Sequence, residues 1–84
     1  MNVTIKHVDL GETRTLEAQD VNPKVGTVYV RWPMGTSLVF SAKTGYGRGK
    51  AERWVLSAES LAEVRAWIKR REFELAELRK AQVS

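Results

Sequence analysis

The chain has 84 residues, no cysteine, 43% hydrophobic and 29% charged side chains, and a formal net charge of +4. That is one domain, residues 1–84, with a small core, because a chain of this length buries only roughly 60–65% of the surface it exposes when unfolded. The missing thiols exclude a disulfide staple, a thiolate metal site and a cysteine nucleophile.

The first half reads as strands. Val3 and Ile5 fall on one face of a strand near residues 2–8, with Thr4 and Lys6 on the other. Asp9-Leu10-Gly11-Glu12 is a turn signal, and residues 13–18 place Leu16 and Ala18 on one face, so the two segments predict a hairpin. This opening resembles the first hairpin of ubiquitin-like folds, but the next segment is a strand where that fold has a helix. Asp20-Val21-Asn22-Pro23 has turn chemistry and predicts a break. Val28, Val30 and Trp32 then alternate with Tyr29 and Arg31, a period of two that predicts a strand over 25–32. Pro33-Met34-Gly35 ends it. A fourth strand is expected over 37–43, with Leu38, Phe40 and Ala42 inward. A short fifth is expected over 52–56, with Trp54 and Leu56 on one face.

The period changes after residue 57. Ser60-Leu61-Ala62-Glu63 is a capping box, and Ser57 is a competing cap one turn earlier. Leu61, Val64, Ile68, Leu75 and Leu78 recur at helical steps, and neither proline nor glycine interrupts them. One long helix is therefore expected over about 58–82. Its first half is apolar enough to lie on the sheet. Its second half, KRREFELAELRK, is charged nearly all round, so the outer part, 72–84, is expected to stand out from the body. Phe73, Leu75 and Leu78 would then need another surface, such as a partner or a second copy of the helix in a homodimer. The expected fold is α+β: about five mainly antiparallel strands followed by one long helix packed across one face.

The chemistry concentrates in AKTGYGRGKAERW, residues 42–54. A phosphate-binding P-loop needs G-x-x-x-x-G-K-[ST]; here three residues separate Gly45 from Gly49-Lys50, and Ala51 follows where a hydroxyl should stand. A dinucleotide fingerprint needs G-x-G-x-x-G opening a helix; Gly45, Gly47 and Gly49 have the wrong spacing and precede a strand. What remains is a glycine-rich, mobile tip flanked by Lys43, Arg48, Lys50 and Arg53, opposed by Glu52, with Tyr46 exposed at the tip. Cations along a backbone track and an aromatic for stacking are the parts of a single-strand binder. Tyr29 and Arg31 share a strand face that would extend this surface, with Arg53 nearby. The order strand, basic loop, strand, helix is similar in topology to small single-strand-binding coactivator folds. Trp32 and Trp54 are expected in the core.

Catalysis has little to work with. His7 is the one histidine, no carboxylate pair has ligand or acid–base spacing, and no serine sits in a nucleophile elbow. No enzyme, metal or cofactor is expected. The opening residues MNVTIKHVDL contain no apolar run of signal-peptide length, and no stretch is apolar enough for a membrane span, so a cytoplasmic location is expected. Residues 1–44 carry five cations against four acids and residues 45–84 nine against six. That excess favours an anionic partner. Three readings follow: a nucleic-acid-binding domain using Lys43, Tyr46, Arg48, Lys50, Arg53, Tyr29 and Arg31; a protein-binding inhibitor or accessory subunit, of the kind phage and plasmid genomes encode, occluding a nucleic-acid-handling or defence complex; and an assembly protein that dimerises through Phe73, Leu75 and Leu78.

Overall fold

The structure is a computed structural model and describes residues 1–83. Five antiparallel strands are followed by one helix: β1 (Asn2–His7), β2 (Thr13–Asn22), β3 (Thr27–Arg31), β4 (Ser37–Ser41), β5 (Trp54–Leu56) and α1 (Ala58–Val83). The sheet order is β4-β3-β2-β1-β5. A meander of four strands is therefore completed by a fifth that returns to the free side of the first.

Alternation sets the inner face. Val3 and Ile5 of β1, Val28 and Val30 of β3, and Leu38 and Phe40 of β4 are buried. Val28 lies opposite Phe40, Val30 opposite Leu38, and Ile5 opposite Leu56. Burying side chains of this kind contributes roughly 1.5–3 kcal/mol each. Strand β2 departs from the expected pattern. It runs on to Asn22, through the Asp20–Asn22 segment expected to break it, because the register shifts between Ala18 and Asp20. This bulge at Gln19 lets Ala18 and Val21, three residues apart, both face the core. The turn comes only afterwards, where the Gly26 N–H donates to the Asn22 carbonyl at 2.8 Å. Strand β3 accordingly begins at Thr27, and Val25 lies in the turn, exposed.

The glycine loop closes the sheet. Ser41 N–H donates to the Tyr46 carbonyl at 2.9 Å, and Arg48 N–H donates to the Val39 carbonyl at 2.9 Å. On its other side Gly47 N–H donates to the Trp54 carbonyl (2.9 Å) and Leu56 N–H to the Gly45 carbonyl (2.8 Å). Residues 45–48 thus act as a short extra strand that joins β4 to β5, and the sheet curls into a small barrel whose two edges are both occupied. The expectation of a free glycine tip is corrected: the segment is hydrogen-bonded on both sides, and Gly47 lies where a side chain would collide with the buried Ala51.

Helix α1 covers the barrel end where β2, β4 and β5 finish. The Ser57 hydroxyl accepts from the Ser60 N–H at 3.2 Å and starts the helix, so the earlier of the two competing caps prevails. Ser60 is instead buried, and its hydroxyl accepts from the Thr4 N–H of β1 at 2.8 Å. Val64 and Ile68 enter the core, and Arg71, which falls on the same side of the helix where an apolar residue would continue the stripe, pairs with Asp20 at 3.2 Å. We expect Ser57→Ala to cost about 1 kcal/mol. Ser60→Ala should cost more, up to about 3 kcal/mol, because it strands a part-buried amide. Urea melts of the two variants give the order.

Beyond Arg71 the helix leaves the body. Every residue from Glu72 to Ala81 is exposed. The radius of gyration is 14.1 Å and the extents are 53 × 25 × 20 Å, against about 12 Å for a compact chain of this length. The outer segment expected over 72–84 includes Ser84, which lies outside the described residues. Among the described residues, no helix is long and apolar enough to cross a membrane.

Candidate nucleic-acid interface

The closing of the barrel divides the cations of the glycine loop between two ends. Lys43 and Arg48 face the helix end. Lys43 sits in a turn held by the Ser41 hydroxyl, which accepts from the Lys43 N–H at 3.1 Å and the Thr44 N–H at 3.4 Å. Arg48 is fixed by its backbone bond to Val39. Between these two and the helix runs a groove of about 730 Å³, lined by Lys24, Lys43, Arg48, Arg65 and Lys69, with Glu72 its one acid.

Arg65 builds this groove as well as charging it. Its guanidinium donates to the Ala42 carbonyl (Nε, 2.8 Å) and the Lys43 carbonyl (Nη2, 2.8 Å), tying the start of the loop to the helix. Lys69 lies one turn further along the same helix flank. Lys24 comes from the β2–β3 turn, where its N–H donates to the Asn22 side-chain oxygen at 3.1 Å. An adjoining groove of about 310 Å³ shares Pro23, Lys24 and Glu72 and adds Leu75, Ala76 and Arg79. From Arg65 to Arg79 the helix advances about 21 Å. The two grooves together carry six cations and one acid. That leaves eight of the fourteen cations, and nine of the ten acids, for the rest of the chain. The whole positive excess of the molecule is therefore in this track. The opposite helix flank is acidic: Glu59, Glu63, Glu74 and Glu77 recur there at helical spacing, interrupted by Arg70.

Strand pairing places the aromatics beside the track. Tyr29 is opposite Val39, and Val39 is bonded to Arg48, so Tyr29, Val39 and Arg48 form a row across the outer face. Tyr46 is opposite Val55 and about half exposed. Arg31 is exposed further along β3, opposite Ser37. No protein-family model matches the chain, and comparison with curated proteins and with solved structures returned no match.

Lys50 and Arg53 point the reading elsewhere. Lys50, on the 3-10 turn Gly49–Ala51, lines a pocket at the far end of the barrel with Trp32 and Trp54. Arg53 pairs with Asp9 at 3.2 Å beside the β1–β2 turn, away from the face that carries Tyr29 and Arg31. Trp32 and Trp54 are half-buried at the barrel mouth, not enclosed in the core as expected. Lys24, Arg65 and Lys69 were not among the residues picked out from the sequence. Arg65 and Lys69 are four apart in the helix and could have been found on a helical projection. Lys24 carries no such signal.

Nothing in the described residues forms a group of three or more side chains able to hold a metal ion. His7 closes a turn: its Nδ1 accepts from the Asp9 N–H (3.3 Å) and the Leu10 N–H (3.2 Å), while Asp9 pairs with Arg53. Phe73, Leu75 and Leu78 are exposed, but they do not form one stripe. Leu75 and Leu78 continue the core-facing side, Leu75 beside Pro23. Phe73 lies roughly 160° around the helix from Leu75 and shares a shallow groove with Glu74, Glu77 and Leu78.

Proposed function

We propose that this is a non-catalytic protein that binds the phosphate backbone of a single-stranded nucleic acid along the groove between α1 and the glycine loop. The observation that supports it is the concentration of six cations against one acid in two adjoining grooves. Tyr29 and Tyr46 stand beside the track as stacking surfaces, the combination that serves sequence-tolerant single-strand binding. Relative to the reading from sequence, the contact surface moves. Lys43 and Arg48 remain, Lys24, Lys69 and Arg79 join them, and Lys50 and Arg53 leave the phosphate track.

Fluorescence anisotropy with a labelled single-stranded oligonucleotide over a range of salt tests this. If Lys24, Lys43, Arg48, Lys69 and Arg79 each neutralise one phosphate, log Kobs should fall against log salt with a slope of about −3.5. Absence of binding at low salt overturns the proposal.

One observation favours a second reading, that of a protein-binding inhibitor or accessory subunit. Phe73 and Leu78 are exposed on a protruding helix, bordered by Glu74 and Glu77. This surface fits a partner with basic residues around an apolar anchor. A two-fold pairing through the same flank would need Glu74 and Glu77 to meet Arg70 or Lys80 of the second copy and not its acids. A chain that binds no oligonucleotide, yet loses a protein partner when truncated before Glu72, would place the function on this surface.

A further inference from the structure

The barrel end away from the helix carries a second site. Trp32, Met34, Thr36, Leu38, Lys50 and Trp54 line a pocket of about 280 Å³. This lies just under the roughly 300 Å³ at which pockets for drug-sized ligands begin, a size for one planar ring system. The two indoles meet at 5.6 Å between centroids and 61° between planes. Each has a neighbour from the chain: Trp54 meets the His7 ring at 5.0 Å, and the exposed Arg14 guanidinium lies 5.1 Å from the centroid of Trp32. Both rings are half-buried and pack on the core, and Met34 beside them is 85% exposed. An aromatic pair braced in this way, with a polarisable thioether at its rim, offers stacking surface on the ring faces that Arg14 and His7 do not cover.

The charge at this end narrows the occupant. Arg14 is paired with Glu12 (2.9 Å) and Arg53 with Asp9 (3.2 Å). Lys50 lines the pocket and has no acid partner among the described residues. A planar ring carrying an anionic group a short distance away satisfies both features, and a nucleobase with its own phosphate is such a group. The chain also connects this pocket to the basic groove. Arg48 lines the groove and Lys50 the pocket, and two residues of backbone, at most about 7 Å, join them.

We infer that the Trp32–Trp54 pocket takes one unstacked base of a single strand, with Lys50 on its phosphate, where the strand leaves the basic groove past Arg48. This rests on the nucleic-acid reading of the groove, and the test separates the two. In a Trp67→Phe background the remaining indole emission comes from Trp32 and Trp54. The probes are a short oligothymidylate and an abasic oligonucleotide of the same length, followed by anisotropy and by quenching. The oligothymidylate should quench the emission and bind about tenfold tighter than the abasic strand, the scale of one stacked base. Trp32→Leu, which keeps apolar bulk, should erase that preference and leave the abasic affinity unchanged. Met34→Ala, at an exposed position that cannot unfold the barrel, should lower the preference without changing the abasic affinity, and serves if Trp32→Leu does not fold. Equal, salt-dependent binding of both strands with no quenching overturns the pocket and leaves the groove standing. Binding of neither strand overturns both.

Discussion

Replacing Gly47 by alanine should remove a large part of the stability of this chain. A Cβ on Gly47 would overlap the Ala51 carbonyl oxygen and come within 2.5 Å of the Ala51 Cβ. Ala51 is fully buried, so it has no free space to retreat into. Gly47 has none either. It lies opposite the fully buried Phe40, and its N–H is bonded to Trp54. Relief requires pulling residues 45–48 out from between β4 and β5, which reopens the barrel. Overpacking of this kind costs about 3 kcal/mol or more, out of roughly 4–13 kcal/mol for 84 residues. Gly49→Ala is the control. Nothing lies within 4 Å of its would-be Cβ, and its φ of 59° carries only the left-handed penalty, about 1–2 kcal/mol. Urea unfolding followed by far-UV circular dichroism gives both. A Gly47→Ala variant as stable as Gly49→Ala would mean that residues 45–48 do not close the sheet.

This pair of glycines also shows where the sequence stops being informative. Alternation made β3 and β4 legible, because Val28, Val30, Leu38 and Phe40 obey a period of two that needs no tertiary knowledge. The helix was legible for the same reason at its own period. Three glycines at alternate positions, by contrast, look alike in one dimension. Gly49 is there for its backbone angle, and Gly47 because Ala51 occupies the space beside it. Read along the chain, both suggest mobility. The β2 bulge is similar: Asp20-Val21-Asn22-Pro23 has turn chemistry, yet a single extra residue at Gln19 returns Val21 to the core and keeps the strand going. Ser57 and Ser60 are equally good caps by composition. The nearby Thr4 amide, fifty-six residues away in sequence, claims Ser60.

The candidate site was half legible for a related reason. The clustering of Lys43, Arg48, Lys50 and Arg53 within eleven residues is real in sequence and false in space. The 3-10 turn at Gly49–Ala51 carries the chain from one barrel end toward the other, so Lys50 faces the tryptophans and Arg53 meets Asp9. The groove takes its other charges from the β2–β3 turn and from a helix flank, elements that only the packing of α1 on the barrel end brings to Lys43.

That difference can be measured, because the loop and the groove predict opposite results for matched substitutions. Alanine at Lys43, Arg48 and Lys69 removes three cations from the track. All three side chains are exposed and none makes a hydrogen bond or ion pair in the described structure, so the fold should be unaffected. Three lost phosphate contacts should flatten the slope of log Kobs against log salt by about 2 on a single strand. At the low end of the range for charged hydrogen bonds, affinity should fall on the order of 10³-fold. Alanine at Lys6, Arg53 and Arg70 removes the same charge from three other places: β1, the Asp9 pair and the acidic helix flank. Apart from the exposed Asp9–Arg53 pair, worth little to stability, only net charge and long-range attraction change there, and these are screened beyond about 8–10 Å at moderate salt. The slope should hold, and affinity should drop only a fewfold. If the two triple variants lose binding equally, the chain attracts nucleic acid by its overall charge and the groove is not a site. If the first loses it and the second does not, the phosphates lie between α1 and the loop, and the strand's path past Arg48 toward Trp32 and Trp54 becomes the next object to map.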